Sequence, residues 1–183
     1  MKPLFLLFAP PEKWRNANQS RRIEGEKWQR LRKKILDRDN FTCSYCNYRS
    51  EKYQIIDHID GNPENNTYDN LQVICQMCNL IKHAGQGCVI KGVVDLYKES
   101  KYNQNAIIKI TRKMRDEDAK DSEIIMVLGL KIKVPFKMDL VYLKKLFGFI
   151  SSRLSNDNDD MYYKWLRYHN KHNKKWKTNK LEC

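Results

Sequence analysis

Apolar positions recur along this chain in rhythms that change from segment to segment. From Glu24 to Leu36, Trp28, Leu31, Ile35 and Leu36 fall near one face at helical spacing, with Arg and Lys around the rest. That pattern predicts a basic amphipathic helix packed on a core. Tyr53 to Ile59 is rich in strand formers and runs into Asp60-Gly61-Asn62-Pro63-Glu64-Asn65-Asn66, a run of turn-forming residues. A strand therefore enters a loop there. Leu71 to Ile74 reads as a short returning strand, and Met77 to Ala84 as a helix closed by Gly85. The expected order is strand, strand, helix.

Beyond Gly92 helical patterns follow at 104–117, 122–128 and 139–154, the last aligning Leu140, Leu143, Phe147, Ile150 and Leu154. Asp139 is the expected cap of that last helix, and Asp121 or Ser122 of the one before. Ser122 to Leu128 followed by Gly129 is similar to the first helix of a helix-turn-helix, but Leu130 to Met138 is long for the turn of that motif, and plain core packing is the simpler account. The organisation expected is an extended arm over 1–23, a compact domain over 24–92, a mostly helical region over 93–160 with a candidate DNA-recognition element, and a basic aromatic segment over 161–183.

Charge narrows the partner. The 183 residues hold 35 Lys plus Arg against 22 Asp plus Glu, a formal net charge of +13. Such a balance favours a polyanion, with nucleic acid ahead of an anionic membrane surface. Mean hydropathy is −0.77, and the apolar run Leu4 to Phe8 is too short to span a bilayer or to act as a signal core. The final stretch, Met161 to Lys180, carries seven Lys/Arg, two His, two Trp and no acid. Lys164, Arg167, Lys171, Lys174, Lys175 and Lys177, interleaved with Trp165, Trp176, Tyr162, Tyr163 and Tyr168, suit phosphate contacts and base stacking. A solubilising tail is the alternative.

Of six cysteines, four form two pairs, Cys43-x-x-Cys46 and Cys75-x-x-Cys78. The spacing lets two knuckles close a tetrahedron about one zinc ion, and four thiolates leave no position open for water, so the site is expected to be structural. Cys88 and Cys183 have no partner at metal spacing. Zinc in place of disulfides points to a reducing, intracellular (cytoplasmic) setting.

Between the pairs lies Ile55-Ile56-Asp57-His58-Ile59-Asp60, a carboxylate and an imidazole at the end of an apolar strand. Strand alternation sends their side chains to opposite faces. Together with Asp69-Asn70-Leu71-Gln72-Val73-Ile74 and Cys75-Gln76-Met77-Cys78-Asn79-Leu80-Ile81-Lys82, this stretch resembles the HNH, or ββα-metal, nuclease family over about residues 28 to 84. The nearest subtype is similar to the phage recombination endonuclease VII group and to HNH restriction endonucleases. The resemblance implies an α+β fold with a ββα-metal core stapled by a four-cysteine zinc site. It implies that Asp57 and Asn79 hold one divalent cation, that His58 is the general base, and that Asn70 braces the loop presenting His58. Many relatives carry histidine where Asn79 stands.

An oxygen-lined site suits Mg²⁺ or Mn²⁺, whereas soft thiolates select zinc. His83 lies four residues after Asn79 and shares its helix face, which makes it a candidate third ligand or a phosphate contact. Lys82 is a candidate point charge for the scissile phosphate, or a solvated side chain. The expected function is thus a DNA endonuclease, with a homodimer as candidate for double-strand cleavage, in a restriction, phage, mobile-element or defence setting. The rivals are a zinc-ribbon nucleic-acid-binding module without catalysis and a structural zinc protein that binds another protein.

Overall fold

The computed structural model describes residues 1–8 and 25–154. Helix α1 (Gly25–Arg38) buries Ile35 and Leu36 against Leu71 and Val73, with Trp28 and Leu31 packed at the margin. The apolar face read from the sequence is the face that packs. Its last residue, Arg38, donates to the carbonyls of Tyr68 (2.8 Å) and Leu71 (2.7 Å), which pins the helix end to the following hairpin.

A cysteine knuckle follows over residues 39–54, where Asn40, Phe41 and Asn47 take positive φ. Strand β1 (Ile55–His58) then pairs antiparallel with β2 (Leu71–Ile74), in the register Asp57↔Gln72 and His58↔Leu71. Helix α2 (Gln76–Lys82) starts directly after Cys75. This is the expected strand, strand, helix order. One detail differs: Gly85 has ordinary right-handed helical dihedrals, and the chain continues into a five-residue π-helical turn over Gln86–Ile90 rather than stopping at a glycine cap.

The C-terminal half departs further from expectation. Strand β3 (Val94–Glu99) leads to α3 (Gln104–Asp116) and α4 (Asp121–Leu128), close to two of the helices read from periodicity. Leu130 to Met138, however, contributes strand β4 (Lys131–Val134), which pairs with β3. Ile124 and Leu128 are buried beside Ile107 and Phe149, so α4 packs as core and no helix-turn-helix forms. The expected helix over 139–154 is the main correction. It is a single turn, α5 (Leu140–Leu143), followed by strand β5 (Phe147–Ile150), and β3 lies between β4 and β5 in one antiparallel sheet. Asp139 does cap α5, accepting from the amides of Val141 and Tyr142. At the start of α4 the Glu123 carboxylate accepts from the Lys120 amide instead of Asp121 or Ser122 acting as cap.

One buried cluster joins the two halves: Ile74, Cys78 and Ile81 pack with Val94, Leu96, Ile108 and Ile150. Gly148 makes this close approach possible, since a Cβ there would lie 2.6 Å from Ile81 Cδ1. The N-terminal segment threads the same junction. Leu4 and Leu6 are buried, the Leu4 amide donates to Asn105 Oδ1 (2.9 Å), and Asn105 Nδ2 donates to the carbonyls of Lys2 and Tyr45. Leu7 bridges His83: its amide donates to the Lys82 carbonyl and its carbonyl accepts from the Ala84 amide.

Candidate active site

The knuckle and the start of α2 bring the sulfurs of Cys43, Cys46, Cys75 and Cys78 within 4.8 Å of one another, all buried. Cys46 Sγ and Cys75 Sγ are 3.6 Å apart, close to the edge of about 3.8 Å for a tetrahedron of sulfurs 2.3 Å from one ion. The cluster can hold one metal ion. Sharing of protons among the thiols pulls Cys43 far down and drives Cys75 and Cys78 far up from the ordinary thiol range, the behaviour of a sulfur set that needs a cation to become four thiolates. Cys88 lies outside the cluster, and burial pushes its thiol up to about 12.

The second constellation sits where β1 meets the end of α2. Asp57 is 6 % exposed and points to the helix side. Its Oδ2 accepts from Lys82 Nζ (2.6 Å) and Gln72 Nε2 (2.8 Å), and its Oδ1 lies 3.4 Å from His83 Nε2. Burial pushes the Asp57 carboxyl up, but the His83 contact and the Lys82 charge outweigh it and hold the group below the usual carboxylate range. Asn79, one turn before His83 on α2, is half-buried.

Strand alternation sends the His58 ring the other way, as the sequence implied. His58 Nε2 lies 3.1 Å from Asn66 Oδ1. A neutral ring donating to that oxygen carries its lone pair on Nδ1. The loop that presents it is tightly tied: Asn70 Nδ2 donates to Asp60 Oδ1 (2.9 Å) and to the Asn65 carbonyl (2.8 Å), and Asn70 Oδ1 accepts from the Asp60 amide. The Asn62 amide (2.8 Å) foremost, then Asn65 Nδ2 (2.8 Å) and Asn70 Nδ2, donate to the Asp60 carboxylate and hold it at about 2.

The chain therefore brings Asp57 and His83 together, places Asn79 on α2 four residues before His83, and sets His58 at the end of β1 and Asn70 just before β2. Lys82 is 5 % exposed, and its ammonium donates to Asp57 and to the His58 carbonyl (2.8 Å), so it is not the solvated side chain of the alternative reading. Gln72 and Asn66 were not singled out from sequence, although the position of Gln72 opposite Asp57 in a hairpin is the kind of pair that register reveals. Lys164, Arg167, Lys171, Lys174, Lys175 and Lys177 lie outside the described residues.

A two-strand hairpin and a helix, stapled by four cysteines, carry Asp57-His58 at the hairpin's end. Residues 43–85 match the HNH endonuclease family. The HNH segment is under a quarter of the chain. A 72-residue stretch is 36 % identical to the type 4 apparatus protein DotN of Legionella pneumophila, covering 39 % of this chain and 33 % of that protein. The match thus spans about a third of that relative's length. No helix among the described residues is long and apolar enough to cross a membrane.

Proposed function

We propose that the chain is a metal-dependent DNA endonuclease that hydrolyses phosphodiester bonds to leave 5′-phosphate and 3′-hydroxyl ends, with zinc in the four-cysteine site and Mg²⁺ or Mn²⁺ at Asp57. The observation that carries this reading is the pairing of Asp57 Oδ1 with His83 Nε2 at 3.4 Å. Two cis donors about 2.1 Å from one octahedral ion lie about 3.0 Å apart, so a closure of a few tenths of an ångström would let Asp57 Oδ1 and His83 Nε2 share one cation. Asn79 is the third candidate ligand from the same helix. A divalent cation held there would neutralise charge on the phosphoryl and leaving oxygens.

The remaining steps belong to the chain's own residues. His58 takes the proton of the attacking water on Nδ1 while Asn66 fixes the ring through Nε2. Asn70 keeps the loop from yielding as the DNA seats. Lys164, Arg167 and the other basic residues of the tail grip phosphates. One such centre serves one strand, so double-strand cleavage calls for two chains. An intracellular site of action follows from the substrate and from the thiolate-held zinc.

Incubating supercoiled plasmid with purified protein and Mg²⁺ or Mn²⁺ tests the reading; nicked product that disappears in His58→Ala is the expected result. A second reading, a zinc-ribbon nucleic-acid-binding module without cleavage, is favoured by one observation: Lys82 already neutralises Asp57. Intact plasmid together with retained DNA binding would select it.

A further inference from the structure

Lys82 occupies an unusual place for a lysine in the last turn of a helix. Its ammonium is buried and held at 2.6 Å from Asp57 Oδ2 and 2.8 Å from the carbonyl of His58. Taking such a charge out of water is costly unless opposite charge and acceptors surround it, and removing one member of a buried pair strands the other. Gln72 Nε2 shares the same carboxylate oxygen, and its Oε1 accepts from Lys2 Nζ at 3.0 Å. All of this support falls on Oδ2. Oδ1, the oxygen facing His83, receives none of it.

We propose that Lys82 is a built-in counter-ion of the nuclease site: it holds Asp57 and the His58 backbone in working position before any divalent cation arrives, and its charge keeps the site's affinity for that cation low. This rests on the metal-dependent reading above. Two consequences follow from electrostatics. The carboxylate and the ammonium cancel, so an incoming divalent ion meets a nearly neutral site and a like charge a few ångströms away. The same pair lets the HNH segment stay folded without that ion, because the buried carboxylate is never uncompensated. Lys82 is a positioning residue, since it reaches the reacting atoms only through Asp57 and His58.

The test uses the full-length, zinc-loaded protein and Mn²⁺ alone as probe, followed by calorimetry and electron paramagnetic resonance. Lys82→Gln keeps a donor for Asp57 but removes the charge; with the like-charge repulsion gone it should bind Mn²⁺ about ten-fold or more tightly than the parent. Its thermal midpoint should fall without Mn²⁺ and recover with it, while the parent's midpoint barely responds. Lys82→Arg, which restores the charge, should return the parent's affinity. If the parent binds Mn²⁺ and Lys82→Gln binds it no more tightly, the counter-ion role is wrong while the metal site survives. If neither binds Mn²⁺, the metal-dependent reading falls and takes this inference with it. Should the variants not fold, hydrogen exchange of the parent decides. Amides over residues 55–60 should be equally protected with and without Mn²⁺, and protection that appears only on adding Mn²⁺ overturns the proposal.

Discussion

Arg112 on α3 donates from a guanidinium nitrogen to the sulfur of Cys75 across 3.3 Å, joining the C-terminal half of the chain to the cysteine cluster. The same guanidinium lies over the Tyr48 ring, 3.6 Å from its centroid. Four thiolates about a divalent cation leave two negative charges, and a half-buried guanidinium offsets one of them. Arg112→Met should therefore speed zinc transfer to a colour-forming chelator by about ten-fold, in line with other groups that support metal ligands. Arg112→Lys should fall between, keeping the charge without the planar stack. Unchanged transfer in both variants would show that the contact carries no weight in holding the metal.

Stripping zinc should unfold the core, whereas withholding Mg²⁺ should stop only cleavage. Cys43 and Cys78 are both fully buried, and without a metal the Arg112 contact at Cys75 is too little to hold four sulfurs together. Cys43→Ala or Cys78→Ala should give unfolded or insoluble chain. A zinc-free protein that keeps its cooperative thermal transition would contradict this.

Loss of chemistry and loss of grip should separate cleanly. His58→Ala should lower cleavage by about 10²-fold or more with DNA affinity nearly unchanged, as expected when a general base is removed. Asp57→Ala and Asn79→Ala should be inactive, with partial recovery in excess Mn²⁺. Deleting residues 161–183 should instead weaken binding to every sequence and flatten its salt dependence, with a slope smaller by roughly 0.9 for each phosphate that the shortened chain no longer neutralises. Filter binding across a salt series, run beside single-turnover cleavage, reads both. A tail deletion that abolished turnover yet left affinity intact would reverse the assignment.

Acid should weaken the C-terminal sheet through Asp95. Its carboxylate accepts from both terminal nitrogens of Arg153 (3.1 and 2.8 Å) and pairs with Lys133 (2.8 Å). Burial pushes this group up, but the two cations prevail and leave it lowered. A carboxyl held lower in the folded than in the unfolded chain adds stability above the unfolded value, about 3.9, and that stability is lost as pH falls through the folded value. Asp95→Asn should therefore melt below the parent at pH 7, and the gap should close as pH falls through the folded value of Asp95. A gap that is constant across that range would rule out the ionic contribution.

The hairpin, α2 and the cysteine cluster were legible because their signals are local: paired knuckle cysteines, turn residues after Ile59, and a short apolar return at Leu71. The helix read over 139–154 failed for a nameable reason. Leu140, Leu143, Phe147, Ile150 and Leu154 are spaced as a helix would space them, but Phe147 to Ile150 is a short apolar run that pairs with β3, and such runs do not distinguish a buried strand from a helix. Gly148 within it was the available warning. Lys82 was illegible for the opposite reason. A basic residue in the last turn of a helix matches the helix dipole and ordinary solvent exposure, and nothing nearby in sequence shows that Asp57, twenty-five residues earlier, waits inside for it.

The threading of residues 2–8 also sets an order on events during synthesis. Leu7 is tied on both sides of His83, and the segment is held from its other end by Asn105, 101 residues downstream of Leu4. The β1–β2 pairing and the cysteine cluster join residues close in sequence and can form early, whereas α2 completes its packing only against Val94, Leu96, Ile108 and Ile150. The segment that braces α2 must wait for its anchor on α3, and closing so long a loop comes late. A partly made chain would thus carry the HNH residues without their final brace, and the centre reaches its working shape only when α3 has been translated.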